Sequence, residues 1–228
     1  MTAALILYGS RARGGAKQGS DVDLIYADEG NSIGTPQVIR GISIHFYSQG
    51  WLEAQSRSGS LFAYHIAFEG ISLNQTDKVL QRIRESFTKR HSYRDNQSEA
   101  LLILKFILEK DWGFNLEARR RYFWAIRTIF ICESAELGSP QFASEALEKI
   151  SGIERLAAHI DDRASASFND CRRYGESILS AFRRQLPTNL RGDELRAHLT
   201  GMGGIGLDSV RIVEEQEAVE GSGLQIYL

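Results

Sequence analysis

Two carboxylates and a glycine-serine turn are the residues of this chain with chemistry in them. Asp21 and Asp23 stand at i and i+2 in the run Asp21-Val22-Asp23-Leu24-Ile25-Tyr26, and Gly9-Ser10 lies upstream with ten residues between Ser10 and Asp21. Side chains alternate faces along a strand, so the two acids project together while Val22 points the other way. Paired oxygen donors of this kind make a site for a hard divalent cation, Mg2+ or Mn2+. Gly9-Ser10 follows the apolar run Leu5-Ile6-Leu7-Tyr8 and opens a short helix, whose backbone amides offer a cradle for phosphate. Arg11, Arg13 and Lys17 fall in the same glycine-rich turn and Ser20 closes it. With Gly9 and Ser10 these are the candidate nucleotide-binding residues. A triphosphate carries about four negative charges, and metal ions with several cations are the usual means of holding it for in-line displacement. Asp-x-Asp alone is most often a solvated acidic turn. Between two apolar strands and behind Gly-Ser at this spacing, it reads as a phosphate and metal site.

These residues need a small sheet to hold them. Leu5 to Tyr8 is one strand and Asp21 to Tyr26 a second. Val38 to Tyr47 contains a third, in which Ile42, Ile44 and Phe46 alternate with Ser43, His45 and Tyr47, and a polar face of that kind is expected to border a ligand. From Trp51 onward the period becomes helical. Leu61 to Phe68 stops at Gly70; Val79, Ile83 and Phe87 mark another helix; Leu101 to Leu108 is strongly apolar, with Ser98 as its upstream cap. Arg119 to Cys132, Phe142 to Ile150 and Phe168 to Leu186 follow. The expected fold class is α/β of the α+β kind: a small mixed sheet with flanking helices, then an all-helical region and a flexible C-terminal tail. The divisions are 1–90, 91–200 and 201–228, the last opening on a glycine-rich linker at Gly201 to Gly206 and continuing as an acidic helix from Val210 to Val219.

Composition bounds the setting. At 228 residues, 43% hydrophobic and 25% charged, the chain is an ordinary globular one, which sets aside collagen, disorder and a membrane bundle. The net charge of −2 is far from the basic balance of a dedicated duplex-DNA binder. No apolar stretch reaches the roughly 20 residues that span a bilayer, so no membrane insertion is expected. Cys132 and Cys171 are isolated thiols and the N-terminus lacks a basic leader, so the expected location is the cytoplasm.

The motif Gly9-Ser10-x10-Asp21-x-Asp23 resembles the GSx10DxD signature of the DNA polymerase β-like nucleotidyltransferase superfamily, and Gly9 to Leu24 is similar to its minimal bacterial members. Gly59 to Leu73 also resembles the helix that follows the catalytic sheet in some of them, so the likeness covers about the first third of the chain. It implies transfer of a nucleoside monophosphate from an NTP or dNTP to a hydroxyl with two divalent metals, Ser10 binding phosphate and Asp21 and Asp23 binding metal. The superfamily usually adds a third carboxylate, as metal ligand and general base, from the next strand. Gly41 to Tyr47 carries no acid. Either His45 takes the base role, which an ordinary pKa near 6.5 allows, or one metal site is weak, or the register of this strand is another one; a lone His between apolar residues is also often structural, and Glu53 and Glu69 are the nearest spare acids.

The acceptor is left to the appended helices. Arg119, Arg120, Arg121 and Arg127, interleaved with Tyr122, Phe123 and Trp124, read either as a face for a triphosphate or single-stranded nucleic acid or as an amphipathic helix with a solvated side. Arg172-Arg173 and Arg183-Arg184 read more simply as solvated, and Arg191 with His198 loosely matches the R-x4-6-H pattern of HEPN ribonucleases. Tyr227, near the end of a glycine-bearing tail, is the candidate acceptor or primer. Small members of the superfamily look like parts of bacterial conflict systems: MNT antitoxins, which attach AMP to a HEPN toxin, and anti-phage nucleotidyltransferases such as that of the Hailong system, which extend a protein tyrosine into a short oligonucleotide. The expected partners are therefore a nucleoside triphosphate and either a short single-stranded oligonucleotide product or a toxin or effector protein. An aminoglycoside-type antibiotic nucleotidyltransferase and an inactive nucleotide-binding subunit are the alternatives; Glu133, Glu136 and Glu145, the acids such an antibiotic pocket would use, show no clustering in sequence.

Overall fold

The computed structural model describes residues 3–17, 20–30, 34–74, 78–110, 112, 115–186 and 190–214. The chain forms two compact units that divide between His91 and Ser92. The first holds β1 (Ala4–Tyr8), α1 (Gly9–Ala12), β2 (Val22–Asp28), β3 (Gly34–Ile39), β4 (Ile42–Ser48), α2 (Gln49–Arg57), α3 (Leu61–Glu69), β5 (Ile71–Ser72) and α4 (Val79–Ser86). The strands make one mixed sheet in the order β3-β4-β2-β1-β5, with β2 and β4 parallel and the other pairs antiparallel. The third strand expected within Val38 to Tyr47 is β4, and Val38 and Ile39 end a further strand, β3, that pairs with it. Arg40 (φ 48°) and Gly41 (φ 78°) form the link, and positive φ at both positions is the two-residue hairpin geometry whose twist matches that of the flanking strands.

Register decides which side chains go inside. Ile6 pairs with Ile25, and Ile25 with His45, so Ala4, Ile6, Tyr8, Asp23, Ile25, Ala27, Ser43, His45 and Tyr47 share one face. On it pack Leu52, Ile66, Ala67, Val79, Leu80 and Ile83 of α2, α3 and α4. The polar-looking side of β4 is thus the covered one: Ser43 and His45 are buried. Ile42, Ile44 and Phe46 lie on the opposite face with Val22, Leu24 and Tyr26, half-buried or exposed. The alternation of β4 taken alone predicts the reverse. It fails because the apolar residues of β1 and β2 recruit the helices, and in-register pairing then leaves β4 no choice of face.

Helix ends follow local chemistry. Ser48 Oγ accepts from Trp51 N and Ser60 Oγ from Ala63 N, each at 3.1 Å, capping α2 and α3. Gly59, between them, has φ +65°, and a Cβ there would lie 2.2 Å from the Thr88 carbonyl oxygen.

The second unit is helical: α5 (Arg94–Leu108), α6 (Leu116–Glu136), α7 (Ser144–Ser151), α8 (Leu156–Asp161), α9 (Phe168–Ala181), a 3-10 turn at Arg183–Gln185, α10 (Gly192–Met202) and α11 (Gly204–Glu214). Gln97, early in α5, donates to Ile129 O and Glu133 Oε2 late in α6, so the two central helices run antiparallel. Leu101, Ile103, Phe106, Tyr122, Ile126 and Phe130 of these helices are buried. Ser98 lies inside α5 and caps nothing, because the helix begins a turn earlier at Arg94. The stretch read as a glycine-rich linker is a helix junction: Gly203 (φ +68°) ends α10, and α11 starts at Gly204, six residues before the expected acidic helix. Asn115 Nδ2 donates to Ile212 O at 2.9 Å, tying α11 to the start of α6. No helix among the described residues is long and apolar enough to cross a membrane.

Gly59→Ala combines a left-handed backbone with a backbone clash and is expected to destabilise the protein by about 2–4 kcal/mol. Gly14→Ala, at φ +73° with open space around it, carries only the conformational cost of about 1 kcal/mol. Urea unfolding of both variants separates the two contributions; equal midpoints would show that the Thr88 contact yields freely.

Candidate functional site

The candidate site gathers where β1 and α1 meet the first residues of β2 and β4. Tyr8 pairs with Asp23 across β1 and β2, and Asp23 with Ser43 across β2 and β4. Strand spacing of about 4.8 Å sets the Asp23 carboxylate between the tyrosine and the serine on one face. The chain turns out of β1 at Gly9, which is buried with φ +77°. A Cβ there would stand 2.6 Å from Asp23 Oδ2, so the carboxylate rests against bare backbone. Asp21 is exposed and sits one residue before β2, where the Asp21 Oδ1 would be 3.9 Å from a Cβ on Gly41. Val22 N donates to Gly41 O at 2.8 Å, which fixes the hairpin turn beside Asp21.

The residues of the glycine-rich turn divide by what they touch. Arg11 donates through Nη2 to Ser20 O (2.7 Å) and through Nε to Asp21 O (3.2 Å), holding the loop end that carries the acids. Lys17 N donates to Ser20 Oγ at 2.9 Å and Ser20 N to Lys17 O at 3.0 Å. Ser10 is half-buried within α1, and its carbonyl accepts from Gly15 N at 3.0 Å. Arg13 turns to α3: its Nη1 lies 2.7 Å from Glu69 Oε2 and 3.1 Å from His65 Nε2. His65 Nε2 is in turn 2.7 Å from the same Glu69 oxygen, and the Tyr8 ring meets His65 edge-on at 5.6 Å. Burial is the largest single influence on Glu69 and opposes its ionisation; the hydrogen bonds and charges of His65 and Arg13 together outweigh it and hold the pKa below the ordinary 4.5. The i,i+4 pair His65 and Glu69 is the sequence signal for this cluster. Glu53, the other spare acid, pairs with Arg82 at 3.1 Å and Arg57 at 3.6 Å along α2.

His45 lies under the helices with Nε2 3.1 Å from Ser43 Oγ. Burial lowers its pKa, which favours the neutral imidazole. The parallel Tyr47 ring is 6.4 Å away and stacks on Trp51 at 4.7 Å, and burial pushes the Tyr47 phenol up to about 12.

Asp21 and Asp23 supply two hard oxygen groups, and Mg2+ is ordinarily held by one or two carboxylates with waters and substrate phosphates. Asp21 and Asp23 are thus the residues here that could hold one such ion. Among the described residues no three His, Cys, Asp or Glu side chains converge as a metal cluster, and the residue beside Asp23 on β4 is Ser43. A second ion would draw most of its donors from substrate.

The helical unit spends its arginines on itself. Arg120 pairs with Glu117, Arg127 donates to Phe142 O at 2.9 Å, and Arg173 pairs with Asp170 at 3.0 Å. Tyr122 and Phe123 are core, and Arg121 is buried with its guanidinium 5.4 Å from the Trp124 ring. The cations and aromatics of α6 do not form one surface. Arg191 precedes α10 at the N-cap position without a side-chain capping bond, and His198 is exposed two turns on. Of the acids weighed for an antibiotic pocket, Glu133 binds Gln97 and Glu136 binds Ser92 and Tyr93 N. Tyr227 lies outside the described residues. No protein-family model and no curated protein matches the chain.

Glu69→Gln removes a carboxylate whose pKa is depressed in the fold, so its contribution is complete above about pH 4.5 and is lost as pH falls through the lower folded value. The variant is expected to be about 1–3 kcal/mol less stable than the parent at pH 7, with the gap closing below pH 4.5. A gap that stays constant from pH 7 to pH 3 in denaturant titrations would mean that the carboxylate charge is not what Arg13 and His65 hold.

Proposed function

We propose that this chain is a template-independent nucleotidyltransferase, moving a nucleoside monophosphate from an NTP or dNTP to a protein tyrosine or nucleic-acid hydroxyl. The observation that carries the reading is the approach of the Gly9 backbone to the Asp23 carboxylate. A Gly-Ser turn lying this close to one carboxylate of the pair supports a phosphate-binding element next to a metal-binding one, as phosphoryl transfer requires. Asp21 and Asp23 would hold Mg2+ or Mn2+, which when bound neutralises phosphate charge. Gly9 and Ser10 would receive phosphate, with Arg11 and Lys17 adding positive charge nearby and Ser20 shaping the loop. The acceptor oxygen attacks the α-phosphorus, the bond to the β-phosphate breaks, and pyrophosphate leaves with the electron pair.

The resemblance of Gly9 to Leu24 points to bacterial conflict systems, with Tyr227 as acceptor or primer, or a toxin as acceptor in the antitoxin variant. A second reading is a nucleotide-binding subunit without turnover, and the observation favouring it is Ser43 standing where a third carboxylate would be. A cytoplasmic setting goes with either.

Incubation with each labelled NTP and dNTP and Mg2+ distinguishes these readings. Transfer is expected in the parent, and Asp21→Asn and Asp23→Asn should each lower it by about 10²-fold or more with unchanged urea midpoints. Wild-type rates in either variant would remove the pair from the chemistry. Tyr227→Phe should abolish labelling of the protein itself while leaving transfer to an added acceptor. Triphosphate binding with no transfer to any acceptor supports the non-catalytic subunit.

A further inference from the structure

We propose that Ser43 and His45 form a proton relay in place of a third carboxylate: the acceptor hydroxyl gives its proton to Ser43 Oγ as Ser43 passes its own to His45 Nε2. The relay rests on the nucleotidyl-transfer reading and adds to it the residues that receive the proton. Ser43 is the β4 residue paired with Asp23, on the same face, and strand spacing of about 4.8 Å keeps its hydroxyl within reach of an oxygen held at that carboxylate. His45 is two residues further along the same face, 3% exposed, with Nε2 3.1 Å from Ser43 Oγ. Tyr8 meets its ring edge-on at 6.2 Å and Tyr47 lies parallel at 6.4 Å. An acceptor approaching from Asp23 therefore meets the serine before the histidine, and the histidine acts through it.

Packing alone gives no reason for this pair. Across the sheet Ser43 adjoins Asp23 and His45 adjoins Ile25, with Ile6 beyond it, and a matched apolar pair in such a place is ordinarily as stable as a buried hydrogen-bonded one. A hydroxyl in hydrogen-bond reach of a neutral imidazole is the arrangement by which a weak acid is deprotonated. The step balances. The acceptor O–H bond breaks as the O–P bond forms, Ser43 gains one proton and loses one, and His45 becomes imidazolium until the proton returns through Ser43 to the site. The other ionisable groups around the pair are Asp23, Tyr8 and Tyr47, with His65, Glu69 and Arg13 behind Tyr8.

The full chain tests this in two ways. The relay requires bare Nε2 accepting from serine, so nitrogen-detected NMR of the free protein should show His45 protonated on Nδ1; a proton on Nε2 overturns the relay whatever the activity. In single-turnover transfer, Ser43→Ala and His45→Gln should each slow the chemical step by about 10²–10⁴-fold with triphosphate affinity unchanged, and the double variant should be no slower than either single one. Ser43→Thr keeps the hydroxyl and should recover to within about tenfold of the parent. Parental rates in Ser43→Ala, or a Ser43→Thr as slow as Ser43→Ala, would eliminate the relay and leave the nucleotidyltransferase reading standing. Absence of transfer in the parent with every triphosphate and acceptor would remove both.

Discussion

A carboxylate lying against a residue without a side chain is the constraint from which the first unit is organised. Asp23 Oδ2 occupies space that a Cβ on Gly9 would enter at 2.6 Å, and Gly9 holds a left-handed backbone that other residues adopt only at a cost of about 1–3 kcal/mol. Geometry and sterics thus demand glycine independently. The same contact fixes where β1 ends, because the chain must turn at Gly9 for the carboxylate to fit. At the other end of the loop Arg11 holds the carbonyls of Ser20 and Asp21, and on the far side the Arg40-Gly41 turn accepts from Val22 N. The acids are thus held from three directions by backbone contacts, which do not depend on a ligand being present.

The covered face has a cost that its own chemistry offsets. Pairing β4 in parallel with β2 brings Ser43 and His45 under α2, α3 and α4, among apolar neighbours, where an unsatisfied hydroxyl or imidazole would cost about 1–3 kcal/mol each. Their mutual hydrogen bond meets part of that demand. The benefit goes to Asp23, whose flank is a small hydroxyl and not a second buried carboxylate, so two negative charges are not forced together before a cation arrives. A site with one acid fewer is easier to fold empty.

Much of this was legible in the sequence, for identifiable reasons. The strand at Leu5 to Tyr8 stood out as a continuous apolar run, that at Asp21 to Tyr26 by its alternating acids and apolar end, and α3 as a helix stopping at Gly70, because local signals and tertiary packing agree there. The face of β4 was not legible. Its alternation is a local property, whereas the side that gets buried is set by partners some twenty and forty residues away, Ile25 and Ile6. The glycines at 203 and 204 read as a linker because composition alone cannot distinguish flexibility from a left-handed helix junction. The Arg13 cluster needed the fold, since fifty-six residues separate that arginine from Glu69.

Electrostatics then separates the cations that the sequence had grouped together. Arg13 and Glu69 form an ion pair, so most of that guanidinium's charge is cancelled where it stands. Arg11 donates to two backbone carbonyls, which orient it without neutralising it. A carbonyl is a dipole and leaves the full positive charge beside the acids, where Arg13 leaves little. The arginines of α6 and α9 that pair with Glu117 and Asp170 are likewise cancelled by their own helices. The net positive charge near Asp21 and Asp23 therefore comes from Arg11 and Lys17, both exposed and both screened by solvent. That is too little to offset about four charges on a triphosphate, so a ligand of that kind would have to bring cations with it, and the carboxylates of Asp21 and Asp23 are hard oxygen groups of the kind that bind them.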